Sequence, residues 1–489
     1  MRVTGGGEPS RPEVSGFGTG FGTGKPESGK PPAQVDLPDD LLRKYNRPGP
    51  RYTSYPPAPA WTNDFTRSDL ERALAAADAA GSDVSLYIHI PFCESLCLFC
   101  ACNVVIRKDH AVAGEYLGTL RKEIAALAPF VSRDRPVVQL HWGGGTPTYL
   151  SPAQMEDLFA DLTLAFHFSP SAEIGVEIDP RVTTREHLEM LRRLGFNRLS
   201  MGIQDFQPKV QETVHRVQPY EMTREAIEQA RALGFTSLNV DLICGLPHQT
   251  AETFRDTADR IVELAPDRIA LFSYAHVPWL KKQQGSFADF LPPDHEKFRI
   301  FRTALGRFLE AGYAYIGMDH FARPDDELAV AQRSRTLHRN FQGYSTRAGA
   351  DLYGLGVSAI GRIGSCYAQN FRDLGRYSEA VEKQGLALMR GYQLTDDDRV
   401  RGAVISRLLC HAVVKKAEIE REYGIDFDAY FAAELGALGE LERDGLVATS
   451  AEEVAITSRG RVFMRNVAMV FDSYLPKLSG EGPRFSQTL

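Results

Sequence analysis

At 489 residues, with 43 % hydrophobic and 24 % charged side chains, the chain is long enough for two or three folded units, and no apolar run reaches membrane-spanning length. A net charge of -7 removes any general pull toward nucleic acid or an anionic membrane, so an anionic ligand must be held by local basic groups. Seven cysteines, four of them within ten residues, fit a metal site in a reducing compartment better than a disulfide framework; with no apolar signal segment at the N-terminus, a cytoplasmic monomer is expected.

Residues 1–34 hold nine Gly and five Pro, including GFGTGFGTG, too little apolar surface to offset the entropy of ordering, so they are expected to form a disordered tail. Residues 35–80 read as an N-terminal arm: VDLPDDLLRKYNRPGPRYTSYP suggests a short capped helix followed by an extended, aromatic, Pro-rich stretch. Within residues 81–320 the apolar runs SLYIHIPF, VVQLHWGG, EIGVEIDP, RLSMGIQD, SLNVDLICGLP and RIALFSYAHVP alternate with helix-like stretches. Six such units predict an α/β fold, a partial (β/α)6 barrel with parallel strands whose carboxyl ends carry the functional residues. A further helix is expected near residues 294–311, and the segment Gly317–Gly364 reads as loop-rich. Residues 321–395 are taken as substrate-cavity loops and a connecting segment. Residues 396–489 read as a mainly helical, winged-helix-like domain, and their 12 basic against 16 acidic side chains argue against phosphate binding there.

Cys93-x3-Cys97-x2-Cys100 follows the first of these strands, placing three thiolates on a loop at the carboxyl edge of the sheet. Thiolates suit iron–sulfur clusters and zinc alike, but no second Cys-x2-Cys or His pair follows to complete a structural zinc site. Three ligands leave one iron of a 4Fe-4S cluster open. Gly143-Gly144-Gly145-Thr146-Pro147 comes one strand later, where glycines let a ligand approach the backbone closely.

With these two motifs the chain resembles the radical S-adenosylmethionine (SAM) superfamily. The stretches KYNRPGPRYTSYP, LYIHIPFCESLCLFCACN, QLHWGGGTPTYL, GFNRLSMGIQDF, GMDHFARPDDELAVAQ and LHRNFQGYST are similar to the oxygen-independent coproporphyrinogen III dehydrogenases of that superfamily. The likeness extends from Tyr45 to Tyr474. It implies a 4Fe-4S cluster on Cys93, Cys97 and Cys100, and SAM bound at the open iron and cleaved by one electron to a 5'-deoxyadenosyl radical. It also implies conversion of two of the four propionates of coproporphyrinogen III to vinyl groups, with loss of two CO2, in heme biosynthesis. An electron donor and an electron acceptor are required and are not identified by the sequence. Alternatives on the same fold are a heme-binding trafficking protein and a different radical SAM reaction.

The resemblance also implies two SAM molecules. One is expected near Tyr87, Gly144, Glu177 and Ile360, the other near Phe99, Gly145, Thr146, Gln204, Arg216, Asp241 and Ala275. Candidate catalytic residues are Cys102, Tyr87, Arg51, His320 and Arg323, and Arg339 joins the basic residues considered for the propionates. Cys102, just past the third cysteine, is expected not to be a ligand, since a fourth thiolate would close the open iron. It faces the SAM or substrate cavity or it fills space as a small hydrophobe. Cys244, in ICGLP, has no assigned role.

Because the first 34 residues carry no core-forming pattern, their deletion is expected to leave unfolding temperature and turnover unchanged, as differential scanning calorimetry and product assay would show.

Overall fold

The computed structural model describes residues 37–478 and 485–488; the Gly- and Pro-rich tail lies outside the described residues. Helix α1 (Asp39–Tyr45) starts after Pro38 with no side-chain cap, in contrast to the capped start expected. The extended arm that follows is held by its backbone: Arg465 donates from Nε to the Pro50 carbonyl at 3.1 Å and also to that of Gly49. The Tyr52 hydroxyl donates to Asp472 at 2.9 Å. Helix α2 (Arg67–Ala80) then leads into the sheet, its start fixed by a reciprocal pair of bonds between Thr66 and Asp69.

Strands β1 (Val84–Ile90), β2 (Val137–Gly144), β3 (Phe168–Ile178), β4 (Arg198–Gln204), β5 (Ser237–Cys244) and β6 (Arg268–Ser273) form in the six apolar runs. They lie in chain order and each neighbouring pair is parallel. Helices α3 (Ala111–Leu127), α4 (Pro152–Ala165), α5 (Arg185–Arg193), α6 (Tyr220–Ala232) and α7 (Ala251–Leu264) connect them. The expected helix near 294–311 is α8 (Asp294–Glu310). On α7 the buried positions Ala251, Phe254, Ala258 and Ile261 recur at helical spacing. Phe254 and Ile261 have no exposed surface, and burying each contributes roughly 1.5–3 kcal/mol. Burial along β4 alternates strictly, Leu199, Met201 and Ile203 being buried while Arg198, Ser200, Gly202 and Gln204 are less so. One face of the sheet is thus sealed by helices and the other, more polar face lines the barrel lumen.

The segment expected to be loop-rich also carries a series of short strands. Strands β7 (Ala314–Gly317) and β8 (His320–Ala322) form a hairpin beside β6, and β9 (His338–Asn340) pairs with β10 (Gly343–Ser345) as a separate hairpin. Strand β11 (Asp351–Leu355) joins β1 in parallel. Strands β12 (Ile360–Ile363), β13 (Cys366–Asn370) and β14 (Leu388–Gln393) continue antiparallel, giving a twelve-stranded sheet of order β14-β13-β12-β11-β1-β2-β3-β4-β5-β6-β8-β7. These strands are short and polar, as in HFA, HRN and GYS, so no period-two apolar signal marks them. Gly317 turns at φ +145, and a Cβ there would lie 2.7 Å from the Tyr344 hydroxyl.

The β9–β10 hairpin reaches into the lumen, where the Gln139 amide donates to Ser345 at 3.4 Å. Beyond β14, helix α10 (Asp396–His411) opens a C-terminal region with α11 (Lys416–Tyr423), α12 (Ala432–Arg443) and a three-stranded antiparallel sheet, β15 (Val413–Lys415), β16 (Val447–Thr449) and β17 (Glu453–Ile456). This is the helical, winged arrangement read from the sequence.

Behind β1, helix α9 (Leu374–Gln384) is tied to α3 through Glu123, which is 2 % exposed. Its carboxylate accepts from the Gly356 N–H at 2.8 Å, Asn370 at 2.6 Å and the Tyr377 hydroxyl at 2.7 Å. Burial outweighs these three donors and pushes Glu123 up to about 7 from its usual 4.5. Between those values the folded chain holds a proton that the unfolded chain has lost, so stability falls as pH rises from 4.5 to 7 and is level above. Chemical denaturation should show the wild type losing about 3 kcal/mol more across this window than Glu123→Gln does.

Candidate active site

The cysteine loop leaves the carboxyl end of β1. Phe92–Cys93 pairs with Val105–Ile106, and the Cys100 N–H bonds to the Cys97 carbonyl at 3.0 Å, so the loop folds back on itself. Three side chains from a distant segment grip it from outside: Lys281 donates to the Cys102 carbonyl at 2.7 Å, Gln283 to that of Cys100 at 3.2 Å and Gln284 to that of Phe99 at 2.9 Å.

Cys93, Cys97, Cys100 and Cys102 line one cavity of about 190 Å³ together with Phe99, Gly144, Gly145, Thr146, Glu177, Gln204, Arg216 and Asp241. Among the described residues no three His, Cys, Asp or Glu side chains converge as on a single metal ion. An iron–sulfur cluster distributes its ligands over separate irons, so the donor set fits a cluster rather than a lone cation. The Cys93 thiol meets Thr146 Oγ1 at 3.3 Å. Cys97 receives an N–H of Arg181 at 3.3 Å and one of Arg216 at 3.6 Å. Both guanidiniums are held by Asp179, at 2.6 and 3.0 Å. A hydrogen bond with Cys102 draws the Cys100 thiol below its usual value. Cys102 itself is exposed and lines this cavity. Cys244 is buried in the core, and burial pushes its thiol up to about 12, so it is an inert core residue.

The glycine turn fits against the cysteine strand. The Gly145 N–H bonds to the Ile90 carbonyl at 2.8 Å and that of Thr146 to the Phe92 carbonyl at 2.9 Å. The Gly144 N–H donates to Glu177 Oε2 at 3.2 Å, and His141 Nε2 lies 3.4 Å from Oε1. Burial opposes the charge on Glu177, but His141, the Gly144 N–H and His89 together prevail and hold it below the ordinary carboxylate range. Asp241 has the opposite fate: burial, and then the nearby Glu177 charge, push it up to about 7, although Asn239 donates to it at 2.8 Å. Two lumen carboxyls therefore differ in how readily they ionise.

Tyr87 and Ile360 line an adjoining cavity of about 250 Å³, which shares Glu177 with the first. The Tyr87 hydroxyl lies 3.0 Å from His89 Nδ1, and its ring stacks on His141 at 6.2 Å. Phe341 and Gln342, from the turn of the β9–β10 hairpin, complete this cavity. The sequence analysis missed these two, and also Asp179, Arg181, His89 and His141. Asp179 and Arg181 carried a signal, as polar residues at the end of EIGVEIDP; the hairpin turn carried none. Ala275 follows β6 and lines neither cavity.

Arg51 pairs with Asp319 and lies over the Phe272 ring at 5.4 Å, on the lumen face of β6. His320 meets the same ring edge-on at 6.1 Å. Burial, then the charge of Arg339, pushes His320 down to about 4, so it is neutral at physiological pH and offers a hydrogen bond rather than the positive charge expected of it. Arg339 stands over Tyr344 at 4.9 Å, and its buried Nε and Nη1 have no hydrogen-bond partner among the described residues. Arg323 is not brought to this site: it is exposed, pairs with Asp325 at 3.5 Å, and its N–H bonds to Asp267 at the amino end of β6.

A Cβ on Gly145 would fall 2.6 Å from the Pro91 carbonyl oxygen and 2.7 Å from that of Phe92, both rigid backbone just before Cys93. Gly145→Ala is therefore expected to cost about 1–3 kcal/mol and to displace the cysteine strand. Thermal unfolding and iron per chain after anaerobic reconstitution should both fall.

Comparison with known proteins places this geometry. Residues 87–261 match the Radical SAM superfamily model and residues 394–463 the HemN C-terminal domain model. The oxygen-independent coproporphyrinogen III oxidase of Synechocystis is 45 % identical over 450 residues, 91 % of this chain and 97 % of its own length. That of Escherichia coli is 47 % identical over 443 residues, 90 % of this chain and 96 % of its own. The solved structure of coproporphyrinogen III oxidase (HemN) from Escherichia coli, a radical SAM enzyme, superimposes with a TM-score of 0.87 at 46 % identity, covering 90 % of this chain and 100 % of that one. The chain belongs to the oxygen-independent coproporphyrinogen III oxidase family of the radical SAM superfamily.

Proposed function

We propose that the chain converts two propionates of coproporphyrinogen III to vinyl groups, giving protoporphyrinogen IX without oxygen, with Cys93, Cys97 and Cys100 as ligands of a 4Fe-4S cluster. The observation that carries this reading is the shared cavity of those three thiols, the glycine turn, Glu177 and Asp241, in a chain whose relatives at 45–48 % identity are named for that reaction. When bound, the cluster and SAM supply a 5'-deoxyadenosyl radical that takes hydrogen from a propionate β-carbon.

The chain's own residues bind, orient and shield. Arg181 and Arg216 donate to the Cys97 sulfur and fix its position. Glu177, ionised in a buried setting, attracts the ammonium or ribose hydroxyls of SAM. The two SAM positions implied by the family follow the two cavities. Tyr87, Glu177 and Ile360 flank one; Phe99, Gly145, Thr146, Gln204, Arg216 and Asp241 flank the other, and Gly144, expected with the first group, lines this second cavity. Ala275 lines neither cavity and has no part in this assignment. Arg51 and Arg339 supply positive charge on the lumen wall for substrate carboxylates, with His320 as a neutral donor. For each propionate the substrate would lose a hydrogen atom, CO2 and one electron, and one electron would be drawn by the cofactor chemistry. A one-electron donor and an acceptor are both required.

Cys102 is assigned to the cavity rather than to the cluster. Anaerobic assay with coproporphyrinogen III, SAM and a reductant, read by mass spectrometry, should show loss of two CO2 per substrate. Ala at Cys93, Cys97 or Cys100 should abolish cluster absorption and iron. Cys102→Ser should keep both while lowering product yield; its loss of the cluster would make it a ligand and overturn the assignment.

A further inference from the structure

A further cavity, apart from Arg339 on its wall, has no part in the chemistry above. It measures about 840 Å³, within the ~300–1,000 Å³ range of organic-ligand sites, and lies where the arm, the base of the β9–β10 hairpin, β12 and α10 meet. Five arginines line it, Arg335, Arg339, Arg362, Arg399 and Arg407, against two carboxylates, Asp398 and Glu422. Neither acid is free to neutralise the rest. Asp398 is fully engaged by Thr395, Tyr392 and Tyr474, and Glu422 is paired with Arg407 at 2.5 Å. Among the described residues Arg335 and Arg362 have no ion-pair partner. Arg339, 8 % exposed, leaves two N–H groups unsatisfied, and Arg407 leaves its Nη1 so. Buried guanidinium donors without partners are costly, and a cavity that collects them is suited to anions.

Two elements join this cavity to the smaller one that holds Tyr87 and Glu177. Ile360 lines the smaller and Arg362 the larger; they are two residues apart on β12 and so project from the same face, about 7 Å along the strand. On the hairpin, His338 and Arg339 line the larger cavity while Phe341 and Gln342 line the smaller. The two spaces therefore share β12 and the hairpin as walls. Tyr52, Tyr55 and Tyr367 supply aromatic wall in the larger.

We infer that the arginine-lined cavity seats the macrocycle by the two propionates that do not react, with Arg335 and Arg362 as anchoring residues, so that a reacting propionate extends past Ile360 toward Glu177. This rests on the function proposed above and adds to it an orientation of the substrate. Its chemical consequence is specific: the carboxylates held here are those that substrate and product share.

The test uses holoenzyme and stable oxidised porphyrins, with affinity read from porphyrin fluorescence. Coproporphyrin III carries all four propionates, protoporphyrin IX only the two that survive the reaction, and coproporphyrin tetramethyl ester none. Arg335→Gln and Arg362→Gln should each weaken the first two ligands by the same factor, about tenfold for a lost charge-assisted bond, and leave the ester unchanged. Arg185→Gln, a surface control paired with Glu189, should change nothing. Unchanged affinity for all three porphyrins in both variants overturns the inference. Weakening of coproporphyrin III alone also overturns it, since the arginines would then hold the reacting propionates. Cluster absorption checks folding, and should Arg362→Gln fail to fold, the exposed Arg335→Gln carries the test. A wild-type enzyme that turns over coproporphyrinogen III while the variants bind normally condemns this inference alone; a wild type that neither binds nor converts it condemns the function on which it rests.

Discussion

Asp179, one residue past the end of β3, holds two guanidiniums that both point at Cys97. Through it the end of β3, the segment that carries Arg216, and the cysteine loop become one rigid unit. Asp179 and Arg216 are each 7 % exposed, so the pairing is made largely away from water, where breaking one partner costs about 3–5 kcal/mol. Two guanidinium N–H groups are thus aimed at the Cys97 sulfur by one buried carboxylate. Arg216 also donates to the Gly202 carbonyl at 2.6 Å, which carries the same constraint to β4.

The sheet divides its labour by end and by face. Parallel strands bring all their carboxyl ends to one side, and there the chain places its thiols, glycine turn and unequal carboxyls. The outer face is sealed by amphipathic helices, which frees the lumen face to be polar: Ser85, Gln139 and Glu173 are bonded to one another near the amino ends, and His141, Glu177 and Asp241 stand further along. The β9–β10 hairpin enters this lumen and brings Phe341 and Gln342 to the level of Tyr87. A barrel of six strands leaves a gap that a closed one lacks, and the hairpin, the arm and the C-terminal helices fill it.

Charge is the second theme. Arg51, Arg339 and Arg465 lie close to the single carboxylate of Asp319, and burial pushes even Arg465 down to about 9. So much uncompensated cation in a low-dielectric wall is expensive in an empty protein and favourable in one holding a tetra-anion. The net charge of -7 for the whole chain conceals this local excess.

The sequence by itself determined the six parallel strands, because long apolar runs of β-formers separated by helical stretches have few other ways to fold, and β2 matches its run residue for residue. It determined the cysteine loop and glycine turn, since both are local motifs whose spacing is their chemistry, and long similar stretches marked the family. Tertiary structure alone decided which polar residues meet. Arg51 and His320 share a wall, yet Arg323, three residues beyond His320, falls at the amino end of β6, because a short antiparallel strand carries the chain back down the barrel. Burial made His320 neutral and Asp241 reluctant to ionise, and neither follows from residue type. The strands after Gly317 were invisible because each is too short for a period and is shaped by the lumen it fills. Contacts between segments distant in sequence leave no local pattern to read, and the larger cavity is made entirely of such contacts.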